Sequence, residues 1–517
     1  MNHPLSGDVT DVVVIGGGGS GLAAAITAAE NGARVVLLER NPILGGTTRL
    51  SIGSITATRT DWQQRAGITD SPDEHFEDMA KFAGDLLPRD NLELRRILVD
   101  NVADAVQWLS SLGVTFFGPM PEPPHRKPRM HNILPNSRAY IHFLEKRARA
   151  LGVDIRLEAR AVDLLSEGGR VTGVALMQAG SQATLRAGAV VLASGDFTAG
   201  RELKDEFAPA LTDTDAINAS NHGDGQRMAR RLGAVIRNGD LFVAQMRFVQ
   251  PQRPSWLLTL PPNRLLTWSM QMAMRFAPAW MLRPFILSFV TTWLAPEPSM
   301  FREGAILINK RGERFVDETG RAAPAIAAQP DKDAFIVFDN RLAEQFSAWP
   351  YFVSTAPGVA YAYVPDYRST RKDLYHEAET LEGLASSLGV PEAALAATVA
   401  AYNAGTGEYP RGGRPPIQQP RFVALGPVRH WVVLGEGGVA VTARHEVTDQ
   451  EGRAIAGLYA AGSAGQGGLL LEGHGHHLGW AFVSGRRAGA HAADWAAGRD
   501  RALEARGLRT PAEGADK

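Results

Sequence analysis

The sequence predicts an α/β protein, a parallel-sheet domain interrupted by an inserted α+β domain. Three observations predict it. Val12 to Glu39 reads as an apolar strand, the glycine run Gly16-Gly17-Gly18-Gly19-Ser20-Gly21, an alanine-rich helix and a second apolar strand closed by an acid. Two more apolar strands run into glycines far down the chain, Val190 to Gly195 and Gly457 to Gly462. Between them lies a section of different composition, rich in Trp, Met and Pro and then helical. A chain of 517 residues exceeds one hydrophobic core. The expected division is residues 1–241 and 423–517 for the interrupted domain and 242–422 for the insert.

Each part of the first unit has a mechanical role. Gly16, Gly18 and Gly21 satisfy GxGxxG between a strand and a helix, the Rossmann-type arrangement. Gly16 allows the tight turn, Gly18 lets backbone approach a pyrophosphate, and Gly21 lets helix and strand pack closely. The pyrophosphate would sit on the helix N-terminus, where free N–H groups and the dipole favour an anion. Glu39 would accept from ribose hydroxyls. A dinucleotide is therefore expected.

Further along, Gly45 to Ser51 forms a glycine turn with hydroxyls. Leucines and valines at helical spacing predict helix from about Pro72 to Leu112, and another from Tyr140 to Leu151. Alternation from Val153 to Leu192 predicts three or more strands. Ala305 to Val316 reads as a hairpin around Lys310-Arg311-Gly312. A helix is expected from Leu381 to Asn403, then a Gly/Pro/Arg-rich connector to Pro420.

Net charge is −1, from 54 basic and 55 acidic side chains, so no basic field invites nucleic acid. The chain has no cysteine, which removes disulfides, thiolate catalysis and cysteine-held iron–sulfur clusters. The N-terminus has no basic region followed by an apolar run, so the cytoplasm is the expected compartment.

Taken together, these segments resemble the flavoprotein family of fumarate reductases and 3-ketosteroid dehydrogenases. Gly45-Gly46-Thr47-Thr48-Arg49-Leu50 resembles its GGNTKL segment, Val191 to Phe197 its VLATGGF strand, and Asn221 to Gly225 its TGDG turn. Asn309 to Glu318 is similar to its NxxGxRFVNE hairpin, and Gly457 to Gly462 matches GLYAAG. The resemblance implies a Rossmann-type FAD-binding domain with an inserted α+β cap, and chemistry at a carbon–carbon bond beside a carbonyl or carboxylate. It places FAD against Gly16, Gly18, Gly19, Ser20, Gly21, Glu39, Arg40, Gly45, Gly46, Thr47, Thr48, Ser51, Gly53, Ala161, Ser194, Gly195, Asp224, Gly462, Ser463, His477 and Leu478.

Departures from the family bear on substrate. Where fumarate reductases carry His-Thr-Met-Gly-Gly, this chain has Leu434-Gly435-Glu436-Gly437-Gly438, and Glu472 falls where an arginine is expected. Arg321 is one residue out of register for another. A dicarboxylate needs such positive partners. The glycines from Gly473 to Gly485 keep the register of the steroid dehydrogenases, with Gly475 at the ketone-binding position. A side chain there would push the substrate off the flavin. That family's two tyrosines have no counterpart.

The run His474-Gly475-His476-His477 has three readings: metal ligands, acid–base or substrate-binding groups beside the flavin, and packing support. The spacing lacks helical register and an evident carboxylate, so no metal is expected. His476 and His477 are candidate acid–base groups because histidine titrates near neutrality. Tyr361, Tyr363 and Tyr367 alternate; Tyr363 is taken as the candidate base, against cross-strand packing. Glu436 is a candidate base or proton relay, against a solvated turn residue. The expected reaction is dehydrogenation of an apolar, cyclic or steroid-like ketone, in which the Gly475 N–H polarises the carbonyl and hydride passes to flavin. Reduction of an activated C=C bond, or service as a flavoprotein subunit of an electron-transfer complex, are the alternatives. The electron acceptor is unnamed. Trp256 to Met300 is read as an apolar lid, a peripheral membrane contact or cap core; its arginines and prolines exclude a spanning helix.

Overall fold

The computed structural model describes residues 6–251, 262–277, 294–356 and 360–498. Strand β1 (Ser6–Ile15), helix α1 (Gly19–Glu30) and strand β2 (Val35–Leu38) form the expected opening unit. Strands β1 and β2 are parallel, with Val12 opposite Val35. Strand Ser181–Leu192 lies parallel on the other side of β1, and Ala454–Ala460 lies parallel to Ser181–Leu192 in turn. Asp154–Arg156 adds to the far edge of β2. The late strand thus returns to a sheet begun at the N-terminus, as its glycine-terminated pattern predicts. Residues such as Val12, Val13, Val14 and Leu37 are wholly buried, because a parallel sheet covered on both faces has no polar side. The expected alternating region supplies a meander of Ala159–Glu167, Arg170–Gln178 and Ser181–Leu192.

A second sheet holds the interrupting part. Its long strand Phe422–Gly435 pairs with Asp215–Ala216, Phe242–Phe248, Ala334–Asp339 and Tyr375–Ala378. This sheet draws strands from both sides of the expected boundaries at 241/242 and 422/423. The 305–316 turn forms as expected: Asn309 Oδ1 accepts from the N–H groups of Arg311 and Glu313. Its outgoing arm makes only an Ile308–Arg314 bridge.

The expected helix from Pro72 to Leu112 is two helices, Pro72–Ala83 and Leu92–Leu112, separated by a 3₁₀ turn holding Pro88. The expected Leu381–Asn403 helix is also two, because Gly389 adopts a left-handed conformation and Pro391 follows. The helix His476–Ala496 packs along α1, through glycines: a Cβ on Gly485 or Gly489 would lie 2.4 Å or 2.2 Å from α1 carbonyl oxygens. No helix among the described residues is long and apolar enough to cross a membrane.

Candidate active site

The glycine turn has the predicted mechanics. Gly16 has φ +112°, and a Cβ on Gly21 would lie 1.8 Å from the Gly16 carbonyl oxygen, so helix and strand meet there without room for a side chain. The Gly17 N–H donates to Glu39 Oε2 at 2.8 Å, and Asn41 donates from backbone and side chain to Oε1. Glu39 is therefore a buried acid that shapes the turn, held at the C-terminal end of β2. The Gly19 N–H donates to Thr48 Oγ1, and Gly18 bridges Gly45, which ties the Gly45–Ser51 segment across the turn. Ser51 Oγ donates to the Thr48 carbonyl, and the Gly53 carbonyl accepts from Tyr140.

Three observations test whether a dinucleotide fits. The N-cap of α1, Gly18, has no side chain to cap it, and Thr48 Oγ1 takes up only the Gly19 N–H. A Cβ on Gly18 or on Gly46 would have its nearest neighbour 3.8 Å or 3.7 Å away, ordinary van der Waals contact, so the protein itself does not crowd either glycine beside that helix end. Ser194 Oγ is buried with no hydrogen-bond partner. A helix end without a capping side chain of its own, two uncrowded glycines and an orphaned hydroxyl suit a bound pyrophosphate and its neighbours.

The remaining predicted cofactor residues have varied surroundings. Gly195 has φ +80°, packed against Asn221. Thr47 Oγ1 accepts from Asn218 and Asn221. The Gly462 N–H donates to Ser484 Oγ, a Cβ on Gly462 would meet Ser20 Oγ at 2.6 Å, Ser463 is half-buried and Leu478 buried. Ala161 lies in a meander strand opposite Leu176. Arg40 and Asp224 are occupied with one another at 3.1 Å, and Asp224 also pairs with Arg160 and Arg227. Burial pulls the Asp224 carboxyl up, but the guanidinium groups hold it below the usual carboxylate range.

The three histidines of the glycine run part company. His474 pairs with Glu122, which also accepts from the His474 N–H. His476 is wholly buried and donates from Nδ1 to the Glu472 carbonyl at 2.6 Å, with Nε2 3.3 Å from His75 Nε2. Burial pushes it down to about 4, so it is neutral at pH 7 and enclosed in protein. The structure joins it to His75 and His125, which the sequence reading did not single out; one nitrogen from each of the three lies within 4.8 Å of the others. Such a set could hold a metal ion. The Arg129 guanidinium, which can only donate, contacts His125 Nδ1 at 3.1 Å, placing a fixed positive charge beside the group and opposing a dication.

His477 faces Glu436. Its Nε2 is 3.2 Å from Glu436 Oε1, a close charge contact in which neither atom makes a hydrogen bond. The buried Glu436 carboxylate is oriented through Oε2, which accepts from Gln466 Nε2 and from the Leu471 N–H at 3.2 Å. Two further acids lie in its electrostatic reach. Burial, then the negative Glu436, pushes the Glu472 carboxyl up, against the pull of His477. Burial raises Asp196 as well, offset by hydrogen bonds from Thr198 and Asn221 and by His477. Asp196 went unread in the sequence, although it replaces the second glycine of VLATGGF.

Gly475 sits at the start of the last helix with φ +88°, and no side chain caps that helix. A Cβ there would lie 2.5 Å from the Thr56 amide nitrogen and 2.8 Å from the Ile55 carbonyl carbon. A side chain would strike backbone, a reason for glycine that holds whatever occupies the substrate position. Tyr363 is at the start of helix Val364–Thr370, its N–H donating to Asp366. Tyr367 is buried against Ser354, and burial raises its hydroxyl well above 10, so it is no tyrosinate. Tyr361 packs with Trp349 and Phe352. Arg321 is exposed. Of the Trp-rich segment, helix Arg264–Phe276 is described, with Trp268 57% exposed; Trp256, Trp280 and Trp293 lie outside the described residues.

Comparison with known proteins accords with this geometry. Residues 11–255 and 285–470 match the FAD binding domain family. The chain is 28% identical over 512 residues to the fumarate reductase (cytochrome) of Shewanella frigidimarina, covering 94% of this chain and 78% of that protein. The open conformation of a flavocytochrome c3 fumarate reductase is similar with a TM-score of 0.73 and 27% identity, covering 95% of this chain and 79% of that one. A 3-ketosteroid-Δ4-(5α)-dehydrogenase from Rhodococcus jostii RHA1, in complex with 4-androstene-3,17-dione, gives a TM-score of 0.58 and 26% identity, covering 94% and 97%. The chain belongs to the FAD binding domain family, and is an FAD-dependent oxidoreductase of carbon–carbon bonds.

Proposed function

We propose that this flavoprotein dehydrogenates the bond α,β to the carbonyl of an apolar, cyclic ketone. The observation that carries the reading is the Glu436–His477 pair, 3.2 Å apart, with the carboxyl groups of Glu472 and Asp196 in electrostatic reach of His477. Among the described residues, the charges that act on Glu472 are Glu436 and His477. A dicarboxylate brought here would meet like charge; a neutral ketone would not.

Residues 16–21, 45–48 and Glu39 would hold FAD, which when bound supplies the hydride acceptor. The work of this chain is positional. Glu436, fixed by Gln466 and Leu471, places its carboxylate beside the His477 imidazole. His477 takes the acidic α-proton from substrate carbon onto a ring nitrogen. Glu436 stabilises the resulting imidazolium, a division of labour that avoids burying an unpaired charge. The uncapped N-terminus of helix His476–Ala496, with the Gly475 N–H, favours negative charge growing on the substrate oxygen.

Reduction of an activated C=C bond is the reverse reading, favoured by the identity to a fumarate reductase; Leu434 and Glu472 stand against fumarate itself. Steady-state rates with an artificial electron acceptor, across cyclic ketones, 3-ketosteroids, succinate and non-cyclic enoates run in both directions, test the choice. Efficient turnover of fumarate would overturn it.

A further inference from the structure

The sequence from Leu241 to Pro296 contains no aspartate or glutamate, although acids are otherwise spread along the chain. Its charged residues are five arginines, Arg247, Arg253, Arg264, Arg275 and Arg283, and it holds four of the chain's ten tryptophans. Helix Arg264–Phe276 is its described helical part. Leu265, Trp268, Met272 and Phe276 recur at i, i+3, i+7 and i+11, one face of an α-helix. That face is turned to water: Leu265 is 74% exposed, Trp268 57% and Phe276 72%. Thr267, on the other side, is buried. The helix thus exposes apolar side chains that an ordinary surface helix hides, with Met272 half-buried within the stripe and Leu266 and Met270 half-buried on the other side. By register, Arg264 falls at one edge of the stripe, next to Trp268.

We propose that helix Arg264–Phe276 is a docking surface for an anionic lipid bilayer. An amphipathic helix with an apolar face, a tryptophan and arginines without acids lies in the plane of a membrane interface. Its apolar side chains leave water for the acyl boundary, at roughly 25 cal/mol per Å². Tryptophan prefers the headgroup level, and arginines gain from the negative surface potential, on the order of 1 kcal/mol each. Charge complementarity selects a bilayer over a second copy of this chain, whose matching face would present the same arginines and repel. No transmembrane segment is needed, since two weak signals, apolar and basic, act together. The inference does not depend on the ketone reading.

The test is co-sedimentation of the full-length flavoprotein with vesicles of phosphatidylcholine alone and of phosphatidylcholine with phosphatidylglycerol, at low and high salt. The expected result is binding to the anionic vesicles, weakened at least tenfold by salt and by the double change Leu265→Glu, Trp268→Glu. Both side chains are exposed, so the variant should keep the flavin absorbance and melting temperature of the parent. Failure of the parent protein to bind anionic vesicles would overturn the proposal, as would a double variant that binds undiminished. If size-exclusion shows the parent to be an oligomer that the double change separates, the face is covered by a second copy and the bilayer assignment falls.

Discussion

In the proposed chemistry His477 and Glu436 act as a pair. Neither is among the groups that shape the pyrophosphate turn. Glu436→Gln keeps the size of a buried side chain while removing its charge, and His477→Asn removes the titrating ring. Each should lower kcat by about 10²–10⁴ and leave the FAD absorbance per protein unchanged. Loss of flavin with normal residual kcat per flavin would show that the pair is structural. Gly475 behaves differently. Its positive φ and the 2.5 Å approach to Thr56 mean that Gly475→Ala should lower the melting temperature, by the cost of a side chain in a left-handed conformation, about 1–2 kcal/mol, plus displacement of the Ile55–Thr56 strand. A stable Gly475→Ala protein with the parent melting temperature would contradict that contact. The sequence shows Gly475 as a glycine in a meaningful register but hides what it faces, because Ile55 and Thr56 are more than four hundred residues away in the chain. For the same reason the HxHH run reads as one cluster, whereas its members turn to Glu122, to His75 with His125, and to Glu436.

At the level of elements, helix Pro72–Ala83 and the start of helix His476–Ala496 are joined by neutral histidines. Burial pushes His125 down to about 3 and His476 to about 4, and His75 well below its ordinary value. In the unfolded chain each titrates near 6.5. Above that pH both states are neutral and the cluster is indifferent to pH. As pH falls through 6.5 the unfolded state takes up protons that the folded state refuses, so stability declines towards pH 4, at about 1.4 kcal/mol for each tenfold difference in protonation. Melting temperatures measured from pH 7.5 to 5 should fall most steeply below 6.5, with a shallower slope in His125→Phe. An identical slope in that variant would remove the cluster from the account. The elements themselves were legible to differing degrees. β1, α1 and β2 declare themselves because strand, glycine turn and helix are local and each glycine has a mechanical cause. The single long helices read at 72–112 and 381–403 are each broken by features visible in hindsight, Pro88 and Gly389 with Pro391, where turn chemistry overrides apolar spacing.

For the molecule as a whole, the nearest sequence spacing to the cofactor slot is also the most informative. The protein should purify with FAD, and Gly21→Ala should lose it, since a Cβ there meets the Gly16 carbonyl oxygen at 1.8 Å; flavin quantified after heat release checks both. Fold and cofactor were readable because a dinucleotide site is built from contiguous residues. Of the proposed site's acids, Glu436 and Glu472 were readable as departures from the family, whereas Asp196 was not, because it comes from a separate stretch and only the fold brings it into reach of His477. Those acids lead to the central claim, that the site accepts a neutral ketone and rejects a dicarboxylate. Anaerobic titration of the oxidised holoprotein tests it most directly, by following the flavin absorbance as substrate is added. A saturated cyclic ketone or 3-ketosteroid should bleach the flavin while succinate leaves it oxidised; bleaching by succinate, with every cyclic ketone inert, would contradict the account.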